Sequence, residues 1–586
     1  MRTDEKLPVY TAAMFASPTD ECDIVMKGGV TSGIVYPYAI LELARRYRFR
    51  SVGGTSAGAI AASLAVAAEY ARTVRGDPAG FVRLQRYCDE LPEHMPGLFQ
   101  PEPRYRRLLA YLLRAQSGRS AWRLVAGLPS IAPVQAAVGA IAGAVTMWAL
   151  RAGLAGILLG GIVGLVIALI AHALRLVRTD LPESDFGLCP GTDQPGGRGP
   201  ALTTWLHAAI QEIAFGEDWQ SSPPLTFGHL LGSSTDRQID LRVITTNLGM
   251  GRPHTLPTLG ILAAYSDPEW RRLFPGDVCD WIAARVTEPA HMPGLSSFPS
   301  SNDLPVLVAA RMSLAFPLLF AAVPVHVRDF ANAELQRATG ATPAIQNRRI
   351  LFADGGIRSN FPIHLFDALL PERPTFALSL DDLPPGMATG NQRVFIPATA
   401  RHGFGLPARE TGSLGGLFGS IVRAAKDWQD QLLSTMPGQR ERIAHVLLSA
   451  NEGGLNLTMP PERARALMHR GLEVGRRFAN NALDFDEHRW RRSLVAYDQL
   501  ARMSDTVHQT WTDGFGSWLL RYLTHPKSYR RLTEDDRYHM HDSLGAVADL
   551  DGAFEPGIID ADRKLPLPVG ILRVTAILSG RRRPAH

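Results

Sequence analysis

Three short runs carry residue types that could perform acyl transfer. Gly54-Thr55-Ser56-Ala57-Gly58 has the form G-x-S-x-G. Small residues two places either side of a serine permit a sharp strand-to-helix turn that lifts its hydroxyl clear of the backbone. Lys27-Gly28-Gly29-Val30-Thr31-Ser32-Gly33 is a second turn, whose adjacent glycines expose backbone N–H groups able to hold a tetrahedral oxyanion. Leu351-Phe352-Ala353-Asp354-Gly355-Gly356 sets a carboxylate at the end of an apolar strand, where active sites of open α/β sheets gather.

Each run has a plainer reading. The serine turn could be a glycine-rich or phosphate loop. The Gly28–Gly33 turn could hold a nucleotide, but G-x-G-x-x-G is not met and no G-K-[ST] occurs in the chain. Asp354 alone reads as a turn former; its company with the other two runs makes it a candidate base. His364, ten residues on, leaves open a histidine triad of another hydrolase fold.

These turns need strands before them and helices after them. Strands are expected at Asp23–Met26 and Phe49–Val52, each followed by a glycine turn, with helices at Ile34–Tyr47 and Ala59–Arg72. The repeated strand–turn–helix order predicts an α/β fold around a mostly parallel sheet. Further strands are expected at Ile239–Thr245, Arg349–Ala353, Thr375–Leu380 and Ala444–Leu448, and a helix at Leu304–Leu314 ending against Phe316-Pro317. Glu183–Pro200 reads as a loop. From Asn480 onward the chain is more charged and mainly helical, with Glu462–Asn481 and Asp486–Met503 the clearest helical stretches.

Composition narrows the class. The chain has 586 residues, 46% hydrophobic and 20% charged, the balance of a folded protein rather than a disordered or collagenous one. A net charge of +5 is small for this length and does not point to nucleic acid. Cys22, Cys88, Cys189 and Cys279 have no CxxC or zinc-ligand spacing, so neither a disulfide scaffold nor a cysteine metal site is expected, and a reducing compartment fits. Met1–Tyr10 lacks the pattern of a secretory signal. The terminal Arg581-Arg582-Arg583 reads as a solvated end.

From Ala126 to Leu174 the only formal charge is Arg151. Ile131–Leu150 and Ala152–Leu174 each meet the ~20 residues that cross a bilayer, with Arg119 and Arg123 before them and Arg175 and Arg178 after. By the positive-inside tendency this predicts a transmembrane helical hairpin with both ends in the cytoplasm. The alternative is a helical pair buried in a soluble core.

Taken together, the runs resemble the patatin-like phospholipases, serine lipid acyl hydrolases with a Ser–Asp dyad. The resemblance rests on three landmarks in the family's order: the glycine loop at Gly28–Gly33, the nucleophile motif at Gly54–Gly58 and the Asp-Gly-Gly at Asp354–Gly356. Ala309–Pro317 adds to it. Val30 stands where the family has a third glycine, and Ser32 where it has a basic residue, with Lys27 on the other side of the loop.

The resemblance implies a patatin-like three-layer fold, with Ser56 as nucleophile, Asp354 as proton acceptor and the amides of Gly28, Gly29 and Val30 as the oxyanion hole. Gly33, Gly54, Thr55, Ala57, Gly58, Gly355 and Gly356 would shape the turns. It implies no cofactor or metal, and phospholipid or lysophospholipid of the membrane as substrate. The expected organisation is a first catalytic part at 1–120, the hydrophobic hairpin at 126–178, a second catalytic part at 200–480 and a helical region at 481–586, with the catalytic part on the cytoplasmic side of a membrane. A regulatory or scaffold protein that keeps this fold but acts by binding is the competing expectation.

Overall fold

The computed structural model describes residues 6–29, 31–116, 125–232, 238–384, 392–397, 438–449, 451–454, 459–524, 532–550 and 552–554, with isolated positions 387, 411, 417, 420, 421, 434, 456 and 457. Val30 and Arg581–Arg583 lie outside the described residues.

The centre is an 11-stranded sheet. Five strands form its parallel middle, in the order β13 (Ile443–Leu448), β11 (Thr375–Asp382), β1 (Asp20–Met26), β2 (Tyr47–Gly54) and β4 (Asp240–Asn247). All other pairs are antiparallel. β12 (Val394–Phe395) lies on β13, while β5 (Arg252–Leu256) and β10 (Gln346–Asp354) lie on β4. β9 (Val323–Asp329), β6 (Ala263–Tyr265) and β7 (Ser296–Ser297) follow outward from β10. A separate parallel pair joins β3 (Gly187–Cys189) to β8 (Leu318–Phe320).

The α/β class is as expected, but the sheet is mixed rather than mostly parallel. Parallel neighbours need a long crossover, whereas Leu248–Gly251 turns β4 straight back into β5. The connection through helix Phe330–Ala338 likewise returns the chain beside β9 in the opposite sense. The expected Glu183–Pro200 loop also contains β3.

Helix α1 (Tyr36–Arg46) follows the first glycine turn, and α2 (Ala57–Thr73) begins immediately after Ser56. Alanine dominates α2, and nearly all of it is buried. Short side chains let it pack closely on β2, α3 (Ala79–Leu98) and helix Leu202–Phe215. Helix Val306–Ser313, buried at every residue, packs against α2, β4 and β10. Helix Pro461–Ala479 lies along α1. Beyond it, the described C-terminal residues form helices Phe485–Thr510, Gly516–Tyr522 and Glu534–Ala548. Asp484 and Thr533 cap the first and last of these by accepting backbone N–H bonds.

The hydrophobic segment is a helical hairpin, Pro133–Ala149 and Leu154–Arg175. Pro133 begins the first helix at a position where its missing N–H costs nothing. Arg151, at φ 57°, turns the chain between the helices. The helices meet through Gly139 and Gly143 on one side and Gly160 and Gly164 on the other. A Cβ on Gly143 would lie 2.0 Å from the Gly160 carbonyl oxygen. Small residues at such spacing let helix backbones touch.

The outward faces are bare: Val138, Trp148 and Ile162 are each more than 60% exposed. The pair is therefore not buried in the core. Among the described residues, one helix is long and apolar enough to cross a membrane, Leu154–Glu183, with mean hydropathy 2.7 in its most apolar window. Pro133–Ala149 falls short in length, so the two expected passes do not both meet that test.

Candidate active site

Ser56 sits between β2 and α2 with φ 54° and ψ −126°, a combination that L-residues rarely adopt and that local structure must enforce. The enforcement is visible on both sides. A Cβ on Gly54 would lie 2.4 Å from the Gly58 carbonyl oxygen, and one on Gly58 would lie 2.4 Å from that of Met26. Both glycines are required for the turn to close against β1. Gly58 N–H donates to the Thr55 carbonyl at 2.8 Å and Ala59 N–H to that of Ser56 at 2.9 Å, starting α2 directly behind the hydroxyl. The positive end of that helix therefore faces Ser56.

Register carries Asp354 to the same level. Gly54 pairs with Val243, and Asp354 pairs with Thr245 two residues along β4. β10 runs antiparallel to β4, so Asp354 reaches the site from the direction opposite to that expected of a parallel strand.

Two residues outside the three motif runs join the parts: Ser313, which lies in the Ala309–Pro317 run, and Asn360, which lies in none. The Ser313 hydroxyl accepts the Ser56 N–H at 3.0 Å and donates to the Ile244 carbonyl at 2.6 Å. A Cβ on Gly355 would lie 3.2 Å from Ser313 Oγ. The Asn360 carbonyl accepts both the Gly28 N–H at 2.7 Å and the Thr55 hydroxyl at 2.9 Å. Its side-chain oxygen lies 2.4 Å from a Cβ placed on Gly28 and 2.7 Å from one placed on Gly356. Those same points fall 3.3 Å from Ser56 Cβ and 2.8 Å from Asp354 Oδ1, respectively. The Asn360 amide thus sits between the serine and aspartate turns.

Ser56 and Asp354 are each 3% exposed. Asp354 Oδ1 accepts the Gly356 N–H at 2.7 Å, which fixes the carboxylate on its own turn.

The glycine loop differs from expectation in one respect. Gly28 N–H is committed to Asn360, so it does not serve as an oxyanion donor in this arrangement. A Cβ on Gly29 would crowd Ser32 Oγ at 2.7 Å and Leu380 Cδ1 at 2.9 Å. Gly33 touches the elbow, since its Cβ would lie 2.6 Å from Ala57 Cβ.

Lys27 turns away from the loop and pairs with Asp381 at 2.7 Å. His445 Nδ1 lies 2.8 Å from the other oxygen of that carboxylate. Burial raises the Asp381 carboxyl, but the Lys27 ammonium and the His445 hydrogen bond outweigh it and hold the group well below the usual carboxylate range. His364 lies exposed in the 3-10 turn Ile363–Phe366.

A narrow apolar cavity opens beside the Ser56 turn. It runs from Gly33 and Ala57, past Ile60 and Leu64 of α2, to Phe99 and Trp205. No sequence motif marked it, because its wall comes from α2, α3, the helix at Leu202–Phe215 and the β8 segment, far apart in the chain.

No family model matches this chain. VipD from Legionella pneumophila is 14% identical with a TM-score of 0.27, covering 91% of this chain and 85% of that one. ExoU, in its complex with SpcU from the type III secretion system of Pseudomonas aeruginosa, is 16% identical with a TM-score of 0.28, covering 91% and 75%. Likeness at that level carries no argument. The RpoH suppressor of Rhizobium meliloti (strain 1021) is different in kind: it is 36% identical over 610 positions, which span 89% of this chain and 94% of the relative. With that match over nearly the whole of both chains, this protein belongs to the family of the RpoH suppressor of Rhizobium meliloti.

Proposed function

We propose that this protein is a membrane-associated, patatin-like serine acyl hydrolase that cleaves carboxylic esters of phospholipid or lysophospholipid. One observation carries the reading: a strained, buried Ser56 shares the Ser313 hydroxyl and the Asn360 amide with the turn that bears Asp354. The adjoining cavity is lined mostly by apolar side chains, which favours an acyl chain over a polar substrate.

In this mechanism Ser56 Oγ attacks the ester carbonyl while Asp354 accepts its proton. The Gly29 amide and the start of α2 offset the oxyanion charge, with Val30 a further donor. The alcohol or lysolipid leaves with that proton, and Asp354 then activates water to release the fatty acid from Ser56. The exposed hairpin and its flanking arginines favour a membrane location with the catalytic part on the cytoplasmic side.

The test is release of fatty acid from mixed phospholipid vesicles by the full chain and by Ser56→Ala. Release by the full chain that disappears in the variant supports the reading; equal release by both overturns it.

The relative's name favours a second reading, in which the chain acts on RpoH-dependent regulation by binding. An RpoH-dependent reporter that responds equally to the wild-type chain and to Ser56→Ala would support regulation without catalysis. A response lost with the serine would tie regulation to hydrolysis.

A further inference from the structure

The hairpin grows out of the wall of the apolar cavity. Leu98 and Phe99, where α3 ends upstream of the hairpin, line the cavity, and Phe320 lines it on β8, which pairs with β3 downstream of the hairpin. The Phe99 and Phe320 rings lie 5.7 Å apart. The two roots are tied together. The Glu102 N–H donates to the Leu188 carbonyl at 3.0 Å. The Tyr105 hydroxyl, 1% exposed as a residue, bonds the Asp180 carbonyl and lies 2.7 Å from Ser184 Oγ. Arg104 pairs with Glu102 and Glu183 across the same junction. The apolar helices and the cavity wall are therefore parts of one braced unit.

The foot of this unit is basic. Helix α4 (Arg106–Gln116) buries Leu109 and exposes Arg106, Arg107 and Arg114. Arg175 and Arg178 stand exposed where the second hairpin helix ends. The acidic groups there are Glu102, Asp180 and Glu183. Glu102 and Glu183 face Arg104, and Asp180 lies 3.6 Å from Arg175. An apolar projection with exposed arginines at its foot is complementary to a bilayer with anionic headgroups: the chains meet the projection and the phosphates meet the arginines.

We infer that the foot of the hairpin is a docking surface for an anionic lipid bilayer, and that docking sets the mouth of the apolar cavity at the membrane so that acyl chains pass into it directly. The route into the cavity rests on the acyl-hydrolase reading above; the docking does not.

The experiment uses the full chain, vesicles of phosphatidylcholine with and without phosphatidylglycerol, and a soluble short-chain nitrophenyl ester. The variants are Arg106→Glu/Arg107→Glu/Arg178→Glu, which alters only exposed positions, and a chain with residues 133–175 replaced by a Gly/Ser linker. Wild type is expected to float with phosphatidylglycerol vesicles, less so as salt rises. The charge reversal should lower vesicle binding, and the ratio of vesicle to soluble-ester hydrolysis, by about fivefold or more per arginine. The linker chain should lose vesicle binding altogether.

Flotation that ignores both headgroup charge and the arginine variant overturns the inference. So does a stable homodimer or a bound protein that covers the hairpin and leaves wild type unable to float. Charge-dependent flotation without hydrolysis of either substrate would uphold the docking surface and sink the acyl-hydrolase reading. Ser56-dependent hydrolysis of the soluble ester, with a vesicle ratio unmoved by the arginine variant, would do the reverse.

Discussion

The Ser56 turn and the hairpin both depend on glycines that let backbones touch, yet they differ in what the contact completes. At the turn, Gly54 and Gly58 close β2 and α2 against β1, and the result is fully enclosed: Ser56 is 3% exposed and its N–H is bonded to Ser313. In the hairpin, Gly139, Gly143, Gly160 and Gly164 join two helices whose remaining faces stay bare. The first contact finishes a site inside the protein. The second leaves two helices whose outer faces meet nothing else among the described residues. Close packing alone thus does not distinguish core from interface; what lies behind the packed face does.

The largest expected effect tests the enclosed region. Ser56→Ala should lower ester turnover by about 10⁴-fold or more, with the thermal midpoint unchanged, because only one hydroxyl is removed. Asp354→Asn should cost about 10²–10⁴-fold in turnover, measured on the soluble ester so that membrane binding does not enter.

The glycine comparison is tested by paired substitutions. Gly58→Val forces a side chain onto the Met26 carbonyl, so it should destabilise the fold by about 1–3 kcal/mol in denaturant titration and remove activity. Gly143→Val meets a still closer carbonyl, that of Gly160, but nothing in the sheet rests on it. Its unfolding transition and soluble-ester turnover should match wild type, and only vesicle binding should change. Equal destabilisation by both would erase the distinction between the regions.

The smallest effect concerns the Lys27–Asp381–His445 group behind the glycine loop. A carboxyl held below its ordinary range stabilises the fold fully above its unfolded pKa of ~3.9 and loses that contribution as pH falls through the folded value. Asp381→Asn should therefore be less stable than wild type by about 1.5–3 kcal/mol near pH 7. The gap should narrow below about pH 4. A gap that widens on acidification would contradict the ion-pair account.

Much of the site was legible in the sequence because it is local. The G-x-S-x-G turn, the strand before it and the helix after it depend on residues within one short segment, and expected and observed boundaries differ by only a few positions. What could not be read there is tertiary. Strand direction depends on connections, so the antiparallel approach of β10 was hidden even though Arg349–Ala353 was legible as a strand. β9 was not legible because Pro324 interrupts its pattern; the strand tolerates proline there because it stands at the strand's start, where β6 does not pair. Asn360 follows no motif, and Ser313, though inside the Ala309–Pro317 run, carried no sign of its role there, since each is placed by contacts with residues distant in the chain. The same carbonyl of Asn360 removes Gly28 from the list of amide donors, which spacing alone could not reveal.

The central claim is that Ser56 is the nucleophile of this fold, and the most direct measurement is chemical. The intact protein is treated with an alkyl fluorophosphonate, digested, and the adduct mapped by mass spectrometry. The account predicts a single modified peptide containing Ser56, formed with loss of hydrolytic activity and absent from Ser56→Ala. An adduct on another residue, or a folded and hydrolytically active protein that takes no label at Ser56, would contradict it.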